Sequence, residues 1–375
     1  MNSVVPSMRW ATGRTAPELS APEAMRQAVA AGLIVLRADP LNAETPLSAL
    51  TGRTTPNALF YQRNHFRIPV LDPNRWRLRI GGLVAHPSEW TLADLRRMPS
   101  RTTTVTLECA GNGRTALEPP APGEQWGLGA VGTADWTGVP LLEVLARAGL
   151  ADDARAVVFR GADRGPVEGQ AGLVRYERSL EVDEACRSGA LLAYAMNGEP
   201  LSAPHGAPLR LVVPGWYGMA AVKWLTGIVV ADHAFTGFFQ TTKYVYEWPG
   251  EPQPVTEPVR LQRVRAVITD PASGGVVRCG PVTVHGVAWS GRAPVTQVVV
   301  QLGHRSPRPA RLSGDPSRGG WREWELTTTI DEPGPTALRA RAVDAAGDAQ
   351  PWTPHWNRLG YGVNAVQVVP IRAIR

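Results

Sequence analysis

Two patterns of hydrophobic and polar positions follow one another along the chain. The first contains only two segments with helical spacing. Residues 20–23 form a capping box with Pro22 inside the first turn, which predicts a helix to about residue 31, and a second helix is expected to follow Thr137 or Gly138 and to end at Gly149. Between and after them, short apolar runs broken by Gly and Pro predict strands at 76–80, 101–109, 156–160, 191–194 and 209–213. This mixture favours an α+β fold over regular βαβ units.

The second pattern begins after the Pro-rich stretch 248–254, which is typical of a hinge. Short alternating runs without helical spacing then predict strands at 264–268, 282–288, 295–302, 322–328 and 337–344. Strands at this spacing are typical of a β-sandwich. The chain is therefore expected to have an N-terminal extension with one helix over residues 1–46, a mixed domain over 47–250 and an all-β domain over 251–375.

Length and composition are those of a globular enzyme. The chain has 375 residues, of which 43% are hydrophobic and 19% charged, enough to bury a large core in more than one domain. No apolar run reaches the ~18 residues that a membrane span needs. Because residues 1–14 lack an Arg pair followed by an apolar stretch, we expect a cytoplasmic location, unless translation starts further upstream or a partner carries the export signal.

Charge says little about the partner of this chain. The net charge is +6, but only two of the 39 basic residues are lysines, Lys223 and Lys243. Such a bias indicates genomic composition. The two lysines have two open interpretations, chance survival or a local need for a compact ammonium instead of a planar guanidinium. The chain has no dense basic run, zinc-finger spacing or aromatic RNP motif, which argues against nucleic-acid binding.

The segment 105–114 is the candidate for chemistry. Cys109 ends a strand rich in Thr and Val, residues 111–113 form a loop with exposed N–H groups, and Arg114 follows. A nearby guanidinium or a bound metal favours the thiolate, which is both a nucleophile and a soft metal ligand. An isolated cysteine is otherwise a small buried apolar residue. The other two cysteines, Cys186 and Cys279, are too few for a disulfide framework or a Cys-rich zinc site.

Four motifs occur in order along the chain. They are RNH at 63–65, CAGN(x)R at 109–114, HGxPxR at 205–210 and VKW at 222–224. Together they resemble the molybdopterin domain of the sulfite oxidase family, and the resemblance runs from about residue 47 to the C-terminus. It implies a molybdopterin-binding α+β domain followed by an immunoglobulin-like dimerisation domain, and therefore a homodimer.

The resemblance also implies a cofactor and a reaction. In this family molybdenum is bound by the dithiolene of molybdopterin and by one cysteinate, for which Cys109 is the match. The expected reaction is the oxidation of sulfite to sulfate by oxygen-atom transfer, while the protein holds the anion in place. Because the chain has no CxxCH motif or haem domain, its electrons are expected to pass to an external acceptor such as a cytochrome.

Roles are carried over only to matching positions. The resemblance makes Arg63, Arg114, Tyr244 and Arg358 catalytic candidates, and Gly113 stands where the family often has another arginine. The family arginine that Arg358 matches lies in the sequence WNLRG, which reads WNRLG at 356–360 here, so that Arg358 is displaced by one residue. Adjacent residues of an extended segment point to opposite faces, and the access of Arg358 to the substrate is therefore left open. Cofactor contacts are implied for Tyr61, Gln62, Arg63, Asn64, His65, Asp163, His205, Arg210, Ala221, Val222 and Lys223.

Simpler interpretations remain open for several of these residues. Any single arginine has the simpler interpretation that it forms a surface ion pair. His205 has that of a turn residue, and Tyr244 has that of an aromatic core residue packed with Phe238 and Phe239. A cysteine-dependent phosphatase is a distant alternative, because four residues separate Cys109 from Arg114, one fewer than its loop needs. A non-catalytic pterin-binding or assembly module is another. The nearest alternative is a molybdopterin reductase of nitrate or sulfoxides, against which Tyr244 favours sulfite.

Overall fold

The computed structural model describes residues 16–249, 256–314 and 319–375. The helices of its first part are α1 (Ala21–Ala31), α2 (Leu92–Arg97), α3 (Leu141–Ala148) and α4 (Val182–Arg187). The strands of this part are β1 (Ile34–Ala38), β2 (Leu41–Glu44), β3 (Leu78–Gly82), β4 (Ser88–Trp90), β5 (Arg101–Glu108), β6 (Val131–Pro140), β7 (Ala156–Pro166), β8 (Leu173–Glu181), β9 (Leu191–Met196), β10 (Glu199–Pro200), β11 (Arg210–Val212), β12 (Leu225–Ala231) and β13 (Val245–Glu247). Among the described residues, no helix is both long and apolar enough to cross a membrane.

Two five-stranded sheets organise the first part. One has the order β10-β9-β6-β5, with β11 also paired to β9, and is antiparallel. The other has the order β4-β3-β12-β7-β8, in which only the pair β3–β12 is parallel. Apolar side chains of both sheets and of α3 meet in one core, for example Phe159, Leu192 and Leu145. The loops that carry the candidate site residues start and end on this framework.

Both predicted helices are present, and one boundary differs. Ser20 caps α1 by accepting a hydrogen bond from the N–H of Glu23 (3.4 Å). The predicted start of α3 at Thr137 or Gly138 is too early, because both residues still pair in the sheet and the helix begins at Leu141. Two further helices, α2 and α4, were not predicted. Each has six residues, too few to repeat a helical apolar pattern, and is held by a capping box.

The second part consists of strands. They are β14 (Thr256–Pro258), β15 (Arg265–Asp270), β16 (Gly275–Arg278), β17 (Gly280–Trp289), β18 (Val295–Leu302), β19 (Arg308–Pro309), β20 (Arg311–Leu312), β21 (Arg322–Ile330), β22 (Gly334–Asp344) and β23 (Gln367–Ile374). The sheets β15-β17-β21-β20 and β16-β23-β22-β18-β19 enclose an apolar core that includes Ile268, Trp324 and Leu338. All five strands predicted here are present, whereas β14, β16, β19, β20 and β23 were not predicted.

A buried ion pair joins the two parts. Arg265 on β15 lies 3.2 Å from Glu108 at the end of β5, and their side chains are 2% and 0% exposed. The same carboxylate accepts a hydrogen bond from the indole N–H of Trp289 (2.9 Å) and another from the amide of Asn112 (3.1 Å). Glu108 immediately precedes Cys109, so the second part of the chain helps to fix the end of the strand that carries the thiol. Most of the hinge predicted at 248–254 lies outside the described residues.

Residues 16–46 pack into the first part of the chain. Ala24 and Ala28 of α1 share an apolar cluster with Ile68 and Trp224. Asn42 on β2 accepts a hydrogen bond from the backbone N–H of Asn64 (2.8 Å). The expected boundary at residue 47 therefore marks no change in packing, and β2 supports the RNH segment directly.

Candidate active site

Two adjoining cavities meet at Cys109. The inner one measures about 60 Å³ and the outer one about 510 Å³. Five side chains line both cavities: Arg63, Asn64, His65, Cys109 and Tyr244. Positions that lie up to 181 residues apart in the sequence, from 63 to 244, are thus brought together around one thiol. The sequence had placed all five in the candidate site.

Cys109 follows β5 directly, and backbone contacts fix its position. Its N–H donates to the carbonyl oxygen of Ala130 (2.8 Å), and its own carbonyl oxygen accepts from the N–H of Asn112 (2.9 Å). Burial raises the pKa of the Cys109 thiol, and the opposing influence of Arg63, the Gly111 N–H and Arg114 does not cancel this effect. Arg114 thus lowers the pKa of the thiol, as the sequence predicts, but burial outweighs this effect. A bound metal is the remaining cause that would deprotonate this thiol.

The guanidinium of Arg114 is held by backbone from both parts of the chain. It donates to the carbonyl oxygen of Glu124 (2.6 Å) and to that of Leu359 (3.0 Å). The side chain needs glycine around it: a Cβ atom at Gly111 would lie 2.6 Å from its Nη2, and one at Gly360 would lie 2.8 Å from its Nε. Arg114 is 4% exposed and lines the outer cavity. Its orientation is therefore fixed before any ligand binds.

Arg63 lies at the boundary of the two cavities. One terminal nitrogen donates to the side-chain oxygen of Asn42 (3.2 Å), and the same nitrogen contacts the backbone carbonyl of Asn64. No carboxylate among the residues that the structure describes forms an ion pair with Arg63. The cation therefore retains free donors toward the cavities.

Tyr244 and His65 form a pair across the site. The tyrosine hydroxyl and Nε2 of His65 share a hydrogen bond of 2.8 Å. Burial raises the pKa of Tyr244 to about 12, so its hydroxyl keeps its proton at neutral pH. Burial, followed by the charge of Arg63, lowers the pKa of His65 well below its usual value. Both groups are consequently neutral, and their hydrogen bond carries no net charge.

Besides Arg63, three basic side chains line the inner cavity. His205 donates from Nε2 to the carbonyl oxygen of Asn57 (3.0 Å), and burial lowers its pKa to about 3. Arg210 donates to the carbonyl oxygens of His205 (3.1 Å) and Ala221 (3.2 Å), and burial lowers its pKa to about 10. Lys223 donates to the carbonyl oxygen of Pro204 (2.9 Å), and burial moves its pKa well below the usual value. Three potential cations are thus desolvated together.

A strained turn directs Lys223 into the inner cavity. The next residue, Trp224, has a φ of 48°, which is unusual for a side chain of this size. Its indole N–H donates to the carbonyl oxygen of Ala203 (2.8 Å) and its ring lies 4.2 Å from the ammonium nitrogen. The VKW motif therefore fixes a buried ammonium next to Asp163, whose pKa burial raises to about 7.

The inner cavity has the chemistry of a site for a phosphate-bearing heterocycle. Arg210 and Lys223 are buried cations, and neither forms an ion pair with a carboxylate in the described part of the chain. The side-chain atoms Nε of Arg210 and Oδ1 of Asp163 are buried without a hydrogen-bond partner. An anionic phosphate would neutralise the cations, and ring N–H groups would satisfy the carboxylate. The residues present therefore fit molybdopterin.

Some predicted residues lie elsewhere, and others were missed. Gln62 and Val222 line neither of the two cavities. Arg358 also lines neither, because its guanidinium pairs with Glu247 (2.6 Å) and its side chain is 55% exposed. Conversely, the outer cavity is lined by Lys243 and Tyr361, which the sequence did not assign to the catalytic set. The position of Lys243 next to Tyr244 was the only signal in the sequence.

Known proteins match this arrangement over most of the chain. Residues 65–239 match the family model described as oxidoreductase molybdopterin binding domain. Sulfite oxidase of Gallus gallus is 36% identical over 351 residues, which cover 88% of this chain and 75% of that protein. The chain belongs to the sulfite oxidase family. The mitochondrial sulfite oxidase of Mus musculus is 37% identical, over 88% of this chain and 65% of that protein.

Two further proteins, named for other activities, are also similar to this chain. The sulfane dehydrogenase SoxCD from Paracoccus pantotrophus has a solved structure that superposes with a TM-score of 0.77 at 31% identity, covering 88% of this chain and 84% of that chain. Nitrate reductase [NAD(P)H] of Hordeum vulgare is 32% identical over 90% of this chain but only 41% of that protein. Membership of the sulfite oxidase family makes this chain a molybdopterin-dependent oxidoreductase with the molybdenum cofactor.

Proposed function

We propose that the protein oxidises sulfite to sulfate in the outer cavity, next to Cys109 as the cysteinate ligand of molybdenum. The observation that carries this proposal is the convergence of Arg63, Arg114 and Tyr244 on the cavity that also contains Cys109. Guanidinium groups present paired N–H donors that match an oxyanion. Neither arginine is neutralised by a carboxylate among the described residues, so an anionic substrate would supply the missing charge.

The protein residues divide the work between the two cavities. In the inner cavity His205, Arg210 and Lys223 would hold the phosphate of molybdopterin, and Asp163 would accept hydrogen bonds from its ring. The cofactor, when bound, supplies the two-electron redox chemistry. In the outer cavity Arg63 and Arg114 would bind the oxygens of sulfite and leave its sulfur directed toward the Cys109 side. Positioning of this kind lowers the barrier because the reacting atoms need no further alignment.

Tyr244 would act as a neutral hydrogen-bonding group. Its hydroxyl keeps its proton at neutral pH, since its pKa is raised to about 12. When neutral His65 carries its proton on Nε2 and donates it to the tyrosine oxygen, the hydroxyl proton of Tyr244 is available to an oxygen of the substrate or product without a change in the net charge of the site. The pair therefore supports an anion in the outer cavity without competing with it for the arginines.

Metal content and sulfite turnover test the proposal together. Protein from a host that makes the cofactor should contain about one molybdenum and one pterin per chain. Sulfite should reduce an added cytochrome only when this protein is present. Elemental analysis and the absorbance of the cytochrome measure the two quantities. Stoichiometric zinc, or molybdenum without sulfite-dependent reduction, would contradict the assignment.

A reductase of nitrate or sulfoxides is the second candidate. The observation that favours it is the 32% identity with the nitrate reductase of Hordeum vulgare over 90% of the chain. Assays with a reduced dye and either nitrate or a sulfoxide distinguish the two directions. Faster turnover in these assays than with sulfite and cytochrome would replace the oxidase assignment.

The all-β second part would be an immunoglobulin-like dimerisation domain, beginning near residue 251. We infer a homodimer formed through residues from about Gln262 onwards, because C2 pairing is the commonest way to bury an exposed sheet face. Light scattering at micromolar concentration measures the mass, and a monomer would contradict this inference.

Electrons would pass to an external acceptor such as a cytochrome. The cytoplasmic location remains a prediction, which cell fractionation tests.

A further inference from the structure

Lys243 occupies an unassigned position in the outer cavity. It is the last residue of a π-helical turn over Phe239–Lys243 and directly precedes Tyr244. Phe239 and Lys243 line the outer cavity, whereas Gln240 and Thr241 line a separate cavity on the other side of the turn. Turns of this type are rare in proteins, and those that occur are often found at functional sites. The turn therefore presents Lys243 to the space that also contains Arg63, Arg114 and Cys109.

The ammonium of Lys243 has no partner within the described ranges. No hydrogen bond or ion pair engages its Nζ, although the residue is half-buried. Burial lowers the pKa of Lys243, followed by the charges of Arg63, Arg114 and Arg358, while Glu124 acts in the opposite direction. Glu124 is itself paired with Arg37 at 2.8 Å. A cation that remains next to other cations without a counter-ion is stabilised when an anion binds there.

The same cavity lacks a cation where the family motif places one. The fourth position of the WNRLG sequence is Leu359, which lines the outer cavity and offers only its carbonyl oxygen to Arg114. The neighbouring Arg358 is turned toward Glu247 instead. Lys243 reaches the cavity from another element of the chain, on the side of Tyr244.

We propose that Lys243 supplies the third cationic contact of the substrate site and makes this site selective for doubly charged oxyanions. The proposal rests on the proposed function, because sulfite is mainly a dianion above neutral pH whereas nitrate carries a single charge. Arg63 and Arg114 recognise the shape of an oxyanion through paired donors, while a lysine ammonium acts as a compact point charge. Coulomb attraction grows with the charge of the ligand, so removing the point charge costs a dianion more than a monoanion.

Two substitutions at this position, with one control, test the proposal on the cofactor-loaded enzyme. Lys243→Gln removes the charge and Lys243→Arg keeps it. Arg187→Gln also removes one positive charge, at a side chain that is 81% exposed and outside the outer cavity. The measurements are KM and kcat for sulfite, together with the Kd of the product sulfate and of nitrate by isothermal titration calorimetry. Calorimetry reports anion binding without requiring turnover.

Lys243→Gln should raise KM for sulfite and Kd for sulfate by about ten-fold or more, with kcat changed less, and should weaken nitrate binding by a smaller factor. Lys243→Arg and Arg187→Gln should stay within about three-fold of wild type. Unchanged sulfate binding in Lys243→Gln, or equal losses for sulfate and nitrate, would overturn the proposal while wild-type sulfite turnover stands. If the wild type fails to oxidise sulfite, the proposed function fails, and the calorimetric comparison still decides whether Lys243 binds dianions.

Discussion

The hydroxyl of Tyr244 lies 2.8 Å from Nε2 of His65, and the two side chains enclose the thiol of Cys109 together with Arg63. His65 is in turn stacked on Tyr176, with ring centroids 4.8 Å apart. Arg178, which is buried behind them, lies 5.7 Å from the Tyr244 ring. The tyrosine is thus held on one side by a neutral imidazole and on its face by a cation, so its hydroxyl has one well-defined direction.

Replacing Tyr244 by Phe should lower kcat/KM for sulfite by about ten-fold or more, because the hydroxyl is lost and Nε2 of buried His65 is left without its partner. Tyr246→Phe is the matched control, since Tyr246 is equally buried but does not line the outer cavity. Steady-state kinetics with sulfite measure the effect. Equal losses in both variants would show that the Tyr244 hydroxyl has only a packing role.

Cys109→Ser should retain the pterin and lose turnover. The contacts expected from His205, Arg210 and Lys223 would hold the cofactor by its phosphate, so loss of one metal ligand should not release it. The control is Cys186→Ser, which removes a half-buried thiol that lines neither cavity. Pterin and molybdenum content, measured beside activity, separate the two roles. Full activity of Cys109→Ser would exclude the cysteine as a metal ligand.

Arg114→Ala should cost far more than Arg358→Ala. Loss of a charge-assisted contact removes about 1.5–3 kcal/mol, or roughly ten- to a hundred-fold in kcat/KM for sulfite. Arg358 is engaged by Glu247 and is 55% exposed, so its removal should leave kcat/KM within a few-fold of wild type. An equal or larger loss at Arg358 would mean that its side chain turns into the cavity when substrate binds.

Gly360→Ala should weaken sulfite binding by displacing Arg114. The added Cβ would lie 2.8 Å from Nε of Arg114, at a residue whose φ is 62°. Gly347→Ala carries a comparable backbone strain, with a φ of 87°, but its Cβ would meet nothing within 4 Å. Gly360→Ala should lose more stability than Gly347→Ala in thermal unfolding, because its Cβ would also lie 2.8 Å from that of Ala121, and only Gly360→Ala should raise KM for sulfite. An unchanged KM in Gly360→Ala would indicate that Arg114 can move without consequence.

His205 should make the cofactor-free protein less stable in acid. Its pKa is about 3 in the fold and about 6.5 when unfolded, so only the unfolded chain binds the proton between these values. The free energy of unfolding should therefore fall by about 1.4 kcal/mol per pH unit as the pH drops below 6.5. Asp163, with its pKa raised to about 7, acts in the opposite sense over part of this range.

Because these two effects overlap, the difference between wild type and His205→Gln isolates the histidine. Glutamine retains a donor for the carbonyl oxygen of Asn57 but does not titrate. Urea unfolding at pH 7.5 and pH 5.5 gives the two free energies for each protein. The wild type should lose more stability than His205→Gln between these pH values, and a parallel decline would contradict the assigned pKa.

Local patterns were sufficient for part of the strands and for most of the motif residues. Thr and Val around residue 105 predicted β5, and its end placed Cys109 on a corner, as the structure confirms. The ladder partners of Thr137 are not visible in a local pattern, so the start of α3 was misplaced. The rise in the pKa of the Cys109 thiol was not predicted, for a related reason. Proximity to Arg114 in sequence was visible, but the desolvation that raises the pKa of Cys109 depends on the whole fold.

The residues that sequence reasoning missed reach the cavity through distant packing. Tyr361 belongs to the loop between β22 and β23, and its ring lies 5.1 Å from that of Tyr244. The WNRLG sequence directly before Tyr361 was a local signal for the active site, but nothing in it indicates contact with Tyr244, more than a hundred residues earlier. The position of Lys243 next to Tyr244 was a signal in the sequence. Which residues of the π-helical turn Phe239–Lys243 line the cavity depends on the geometry of that turn. Such assignments require coordinates.

The carbonyl oxygen of Leu359 and the bare Cα of Gly360 form one wall of the Arg114 site, although both belong to the β-rich second part of the chain. A chimaera that joined this first part to the β-rich part of a relative would therefore exchange a piece of the candidate active site. The junction would have to keep residues 357–363 together with the first part of the chain. Sequence changes in the β-rich part are in this way limited by their effect on Arg114.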